Sequence, residues 1–221
     1  MKRQYLGDSK DSFKWDYLDA LTSALGCTKL NISLMLTPDD GGNDGKTSPE
    51  RFPARKSIHD FCHNLKKHRD FQQLRNLPLS SGSSYIVEFH KPDILFTRND
   101  RKSYFSNYSS NKRQLIFIDP DNGFEPEKSC TAKHVGYSDI KAITSQISGD
   151  SVVSVFQHFR RIPFAKDFIR IKERLGSDHV AAVYWHSLMF VTIAKTRETI
   201  EKVVAANQEY ANSCPAVKAL R

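Results

Sequence analysis

No run of apolar residues in this chain approaches the ~20 needed to span a bilayer as a helix, so a chain without a membrane partner is expected. The opening Met1-Lys2-Arg3-Gln4-Tyr5-Leu6-Gly7-Asp8 has no long apolar segment and does not read as a signal peptide. Cysteine is scarce: Cys27, Cys62, Cys130 and Cys214 lie far apart, with no Cys-x-x-Cys pair. A disulfide framework is therefore not expected, and free thiols in a reducing cytoplasm are. There is no internal repeat and no low-complexity tract. Hydrophobic residues make up only 39% of the chain, low for a globular protein but above the disordered range. Aromatic residues at 11% supply a packed interior, and 221 residues suit a single domain, 1–221, with a helical insertion at about 50–80.

What the chain has in excess is positive charge. Its formal net charge is +8. The cations cluster at Lys66-Lys67-His68-Arg69, at Arg98 with Arg101-Lys102, at Lys112-Arg113 and at Arg160-Arg161. A basic surface attracts polyanions, nucleic acid above all. A generally basic protein with no such partner has the same composition.

The most informative stretch is Gln114–Glu125. Leu115–Ile118 is an apolar run too short for a helix, and it reads as a strand buried on both faces. It runs into Asp119-Pro120-Asp121-Asn122-Gly123, where the proline and Asn-Gly force a tight loop. Asp119, Asp121 and Glu125 place three carboxylates there. Ligands of open parallel sheets bind at the carboxyl ends of strands, so this loop is the expected site. A polar turn with no further role is the alternative.

Around it, apolar spacing gives helices at 11–25, 56–71, 138–147, 164–175 and 196–211. Strands are expected at 30–36, 85–89, 94–97, 115–118, 152–156, 180–185 and 189–194. Residues 77–84 read as a linker, 120–136 as a loop, and 101–111 give no clear signal. Strands alternating with helices argue for a three-layer, Rossmann-like α/β sandwich. Its sheet is mostly parallel and ends in an antiparallel hairpin, because the last two strands are only a few residues apart.

Several motifs carry competing readings. Gly45-Lys46-Thr47 resembles the end of a P-loop, but Asp40 stands where the first glycine is required. His59-Asp60-Phe61-Cys62-His63 has the i, i+4 histidines of a zincin, but Asp60 is a methylene too short for the base, and ordinary histidines are the better reading. His158, after a strand, could act on a substrate, and Arg160 or Arg161 could hold a phosphate; a structural cap is the alternative. Lys14, three residues after Asp11, is either a solvated ion pair or a cation aimed at the sheet end.

Four segments together resemble the bacterial large-subunit rRNA adenine methyltransferases. Gly7-Asp8-Ser9-Lys10-Asp11-Ser12-Phe13-Lys14 matches that family's opening Gly-Asn-x-x-Asp-x-x-Lys, with Asp8 for Asn. Leu36-Thr37-Pro38-Asp39-Asp40-Gly41-Gly42 is a loose counterpart of its cofactor loop. Val87-Glu88-Phe89-His90-Lys91-Pro92 is similar to its Glu-Leu-His-Pro strand end, with one residue inserted. Asp119-Pro120-Asp121-Asn122 stands at its Asp-Pro-Pro-Tyr, without the aromatic, for which Phe124 is the nearby substitute. The chain also looks like a group of uncharacterised bacterial proteins with Gly-Asp-x-x-Asp, Thr-Pro-Asp and Asp-Pro-Asp-Asn-Gly.

The resemblance implies a class I methyltransferase-like fold acting on nucleic acid with S-adenosylmethionine. Asp39, Asp40, Gly41 and Gly42 would lie against the cofactor and Glu88 would bind its ribose. Asp119, Pro120, Asp121, Asn122, Lys14 and His158 would form the reacting centre. Gly7, Asp8, Asp11, Phe124, Arg160 and Arg161 would meet the substrate. Two other readings stay open. Asp8, Asp40, Asp119 and Asp121 could gather around Mg²⁺ or Mn²⁺ in a phosphodiesterase or nuclease. The fold could instead bind nucleic acid without catalysis.

Overall fold

A computed structural model describes residues 1–38, 45–108 and 113–221. Its centre is a seven-stranded sheet built on the expected apolar strand, β3 (Gln114–Ile118), whose five residues are all buried. The strands are β1 (Lys29–Ser33), β2 (Ile86–Phe89), β3, β6 (Val152–His158), β7 (Val180–Trp185), β8 (Leu188–Ala194) and β9 (Lys218–Leu220). They lie in the order β2-β1-β3-β6-β8-β7-β9. β2, β1, β3 and β6 are parallel, with Ile32 opposite Phe117 and Ile118 opposite Val155. β7 and β8 form the expected antiparallel hairpin, and β8 inserts between β6 and β7.

Both faces are covered by helices, so the strand residues divide by twos. Leu115 and Phe117 join one core with helix α1 (Ser9–Ala24), α2 (Lys56–His68), α3 (Leu77–Ser81) and α7 (Arg197–Ser213). Ile116 and Ile118 join a second core with α4 (Arg101–Tyr104), α5 (Tyr137–Gln146) and α6 (Phe164–Leu175). Period-two division of a strand apolar at every position is the mark of a sheet buried on both sides. The architecture is a three-layer α/β sandwich of class I methyltransferase-like type, as the element order implied. Among the described residues no helix is long and apolar enough to cross a membrane.

Some elements differ from the sequence reading. β1 stops at Ser33, and Leu34–Leu36 continue as buried, irregular chain. The presumed linker holds α3, started by Leu77-Pro78 and ended by Gly82 in the left-handed region. α2 ends at His68, with Arg69 left-handed, and a 3₁₀ turn covers Phe71–Asn76. Residues 94–97 are not a strand: the Phe96 amide donates to the Leu36 carbonyl, while Ile94 and Thr97 bond within local turns to Lys91 and Asp100. The 120–136 loop contains two short parallel strands, β4 (Gly123–Phe124) and β5 (His134–Val135). β9 pairs antiparallel with β7 at the sheet edge and carried no apolar run to announce it.

The chain passes outward from β1 to β2, then crosses back to β3 on the other side of β1. The carboxyl ends of β1 and β3 therefore flank a topological switch point, the crevice where open α/β sheets bind ligands.

Candidate functional site

α1 brings most of the polar groups to that crevice. It is buried nearly all round although polar in sequence. Asp8 caps it, accepting from the amides of Lys10 and Asp11. One turn on, the Lys14 ammonium lies 2.9 Å from Asp11 and 2.9 Å from Asp119, so the cation is aimed at the sheet end. Trp15 and Phe156 present their rings to it at 5.3 and 5.4 Å. Burial alone pulls the Lys14 pKa down, but the Asp11 and Asp119 carboxylates outweigh it and hold it above its ordinary value. Burial pushes the Asp119 carboxyl up despite Lys14. Burial, with the Asp11 charge beside it, raises Asp8 to about 6.

Above β1 and β3 three oxygens converge on an ammonium group, that of Met1. It donates to the carbonyls of Met35 at 2.9 Å and Asp119 at 3.2 Å, and pairs with the Asp121 carboxylate at 2.8 Å. Thr37 orients that carboxylate by donating its hydroxyl at 2.6 Å. Burial lowers the pKa of the ammonium below its ordinary value, with Asp121 and Asp119 opposing. Asp121 is held low because the ammonium and the Thr37 hydroxyl outweigh its burial. Met35 adopts a left-handed backbone, φ 44°, and its amide donates to the Tyr104 hydroxyl. That bend turns its carbonyl toward the crevice.

These groups floor a cavity of about 520 Å³. Asp8, Asp11, Asp119 and Asp121 line it together with the cations Lys10, Lys46, Arg51 and Lys133. His158, at the end of β6, also lines it, with the Lys10 ammonium 3.2 Å from Nε2. His158 and Asp119 thus share the carboxyl edge of parallel neighbours.

Other candidates fall elsewhere. Asp39, Asp40, Gly41 and Gly42 lie outside the described residues, as does Lys112. Glu88 sits within β2, ion-paired with Lys29 at 2.7 Å, and does not line the cavity. Phe124 is fully buried and stacked on Tyr137 at 5.3 Å, so it is a core residue and offers no face to a base. Gly7, at φ 73°, packs on α2, and its amide donates to Asp11. Glu125 accepts from the Tyr137 amide and leaves the other two loop acids. Pro120 is buried in the cavity lining, and Asn122 stands exposed beside His134.

Of the four carboxylates of the metal reading, Asp40 lies outside the described residues, and among the described residues the others form no metal-binding group. Asp119 faces Lys14, Asp121 faces an ammonium, and no three metal-binding side chains gather. The paired histidines of α2 are also taken: His59 meets the Phe52 carbonyl and His63 meets Glu50. Several basic clusters serve the fold. Lys66 and Arg69 tie down the carbonyls of Lys46, Thr47, Leu6 and Gly45. Arg101 pairs with Asp139 and Arg113 with Asp150. Arg160 donates to Phe124 O and Gln157 Oε1.

The sequence reading missed Met35, Thr37, Lys10 and Lys133. Carbonyl oxygens leave no sequence signal. Lys10 could have been found, since it lies one turn from Lys14 on the same helix.

No protein-family profile matches this chain, and no curated protein matches it. Among solved structures it is similar to human methyltransferase-like protein 13 in complex with SAH, at 12% identity over 90% of each chain and a TM-score of 0.38. It is also similar to a DUF574-family protein from Streptomyces avermitilis, at 8% identity over 88% of this chain and 87% of that one, with a TM-score of 0.40. The fold assignment comes from strand order and register, independently of these likenesses.

Proposed function

We propose that this chain is an S-adenosylmethionine-dependent methyltransferase that modifies an amine of a nucleic acid, in the manner of the rRNA adenine methyltransferases it resembles. The observation that carries this reading is the ammonium at the switch point, held by Met35 O, Asp119 O and Asp121. That group stands in for a substrate amine. Two carbonyls and a carboxylate accept an amine's hydrogens and orient its lone pair.

The donor set fits the amino-acid end of the cofactor. The acids of the lining suit its ammonium and sulfonium. A volume of about 520 Å³ is in the range of small-molecule sites. Glu88 is paired with Lys29 and does not line this cavity. When bound, the cofactor supplies an activated methyl group. The chain's own work is positioning: Lys14 fixes Asp119, Thr37 fixes Asp121, and the bent Met35 carbonyl completes the cradle. Cations around the cavity suit a phosphate backbone.

The test is transfer of label from methyl-labelled S-adenosylmethionine to RNA and to DNA. The wild-type protein labels one of them. Asp121→Ala, with its fold checked by circular dichroism, lowers transfer on the order of 100-fold. Transfer unchanged in Asp121→Ala, or no transfer to either nucleic acid, would refute the reading.

A further inference from the structure

The chain leaves β6 as Phe159-Arg160-Arg161-Ile162-Pro163, and four of these five residues are exposed. Phe159 is 43% exposed and Ile162 is 39% exposed, although neither polarity nor chain position requires apolar side chains there. The loop is fixed beside the cavity. Phe159 follows His158, and its amide donates to the carbonyl of Ser187 at 2.9 Å; both His158 and Ser187 line the cavity. Phe164 meets the Phe159 ring at 5.5 Å in a T-shaped contact that still leaves the residue exposed.

The two arginines have different tasks. Arg160 turns back to Phe124 O and Gln157 Oε1 and anchors the loop. Arg161 is exposed and left-handed, φ 63°, a backbone that arginine adopts only where its surroundings impose it. An exposed aromatic residue and an exposed arginine two residues apart, in a loop that leaves the cavity wall at His158, match how proteins grip unpaired nucleic acid. Bases stack on the ring, and the cation meets the backbone phosphate.

We propose that this loop is a docking platform for single-stranded nucleic acid, with Phe159 stacking on an unpaired base beside the one in the cavity and Arg161 contacting its phosphate. This rests on the nucleic-acid reading above and adds that the substrate is unpaired at the site. A duplex keeps its bases stacked on each other and offers Phe159 no face.

The test is fluorescence anisotropy with labelled 12-nucleotide RNA and DNA single strands and with the matching duplexes. Phe159→Ala weakens single-strand binding roughly 5- to 150-fold and leaves duplex binding unchanged, whereas Phe159→Trp retains it. Arg161→Gln lowers the salt slope of single-strand binding by about 0.7. Comparison of RNA with DNA identifies the strand type. If the wild-type protein labels nucleic acid but folded Phe159→Ala and Phe159→Leu bind single strands as it does, this inference alone falls. If the wild-type protein binds no nucleic acid at low salt, this inference and the substrate reading fall together. A change of self-association in Phe159→Ala with no change in strand binding would assign the loop to a protein contact and overturn the proposal.

Discussion

Lys14 joins two carboxylates that chain order keeps far apart, Asp11 on α1 and Asp119 after β3. All three are buried, so the ions stabilise one another where water does little of it. Removing one member of such a set costs roughly 3–5 kcal/mol, because the charge left behind has no solvent. Asp8 sits next to this set as the cap of α1, close to Asp11, Lys10 and Lys14. Its carboxyl is raised from 3.8 to about 6 by burial first and by Asp11 second. A carboxyl raised on folding contributes stability below its unfolded value, and that contribution is lost as pH rises through about 6. Asn keeps the capping oxygen and never ionises. Asp8→Asn is therefore expected to match the wild type near pH 4 and to melt at higher temperature near pH 7.5, as scanning calorimetry at the two pH values would show. A variant that melts lower at pH 7.5 than at pH 4, relative to wild type, would contradict the burial of that charge.

α1 is an unusual helix for its position, because polar residues occupy most of its buried surface and each needs a partner. Asp16 and Asp19 receive Arg55 from the start of α2, Asp16 also receives Tyr210 from α7, and Asp19 receives Tyr85. α2 approaches so closely that a Cβ on Gly7 would overlap the Lys66 amide nitrogen and the Cys62 carbonyl. Gly7 is also left-handed, φ 73°. Gly7→Ala is expected to destabilise the protein by about 2 kcal/mol or more, a loss of roughly 4 °C or more in Tm by thermal melting. An unchanged Tm would place the glycine's role outside packing. The family-like Gly-Asp-x-x-Asp-x-x-Lys segment was legible as a motif, but its division of labour was not: Gly7 serves the helix contact and Lys14 the site. α6 was legible to the residue, because Pro163 and a left-handed Gly176 bound its apolar period. β4, β5 and β9, of two or three residues each, are too short to show a period, and tertiary pairing decides them. Likewise Pro78 reads as linker chemistry, yet it starts a helix where a missing amide costs nothing.

Across the whole molecule, the sheet order determines where chemistry can occur. The reversal between β1 and β3 opens one crevice, and α1, β3 and β6 all deliver polar side chains to it. The net charge of +8 was a weaker guide than it looked. Lys66, Arg69, Arg101 and Arg113 bind carbonyls or acids of the chain itself, whereas Lys10, Lys46, Arg51 and Lys133 line the cavity. Asp119 and Asp121, two of the four acids of the metal reading, are the counter-ions of buried cations, which sequence alone does not reveal because the pairing is spatial. The methyltransferase proposal puts a cationic cofactor and an anionic substrate in a cavity lined by both acids and cations. The decisive measurement is calorimetric titration of this chain with S-adenosylmethionine. Saturable one-to-one binding in the micromolar range is expected, and folded protein that releases no heat and gains no thermal stability with the cofactor would contradict the methyltransferase reading.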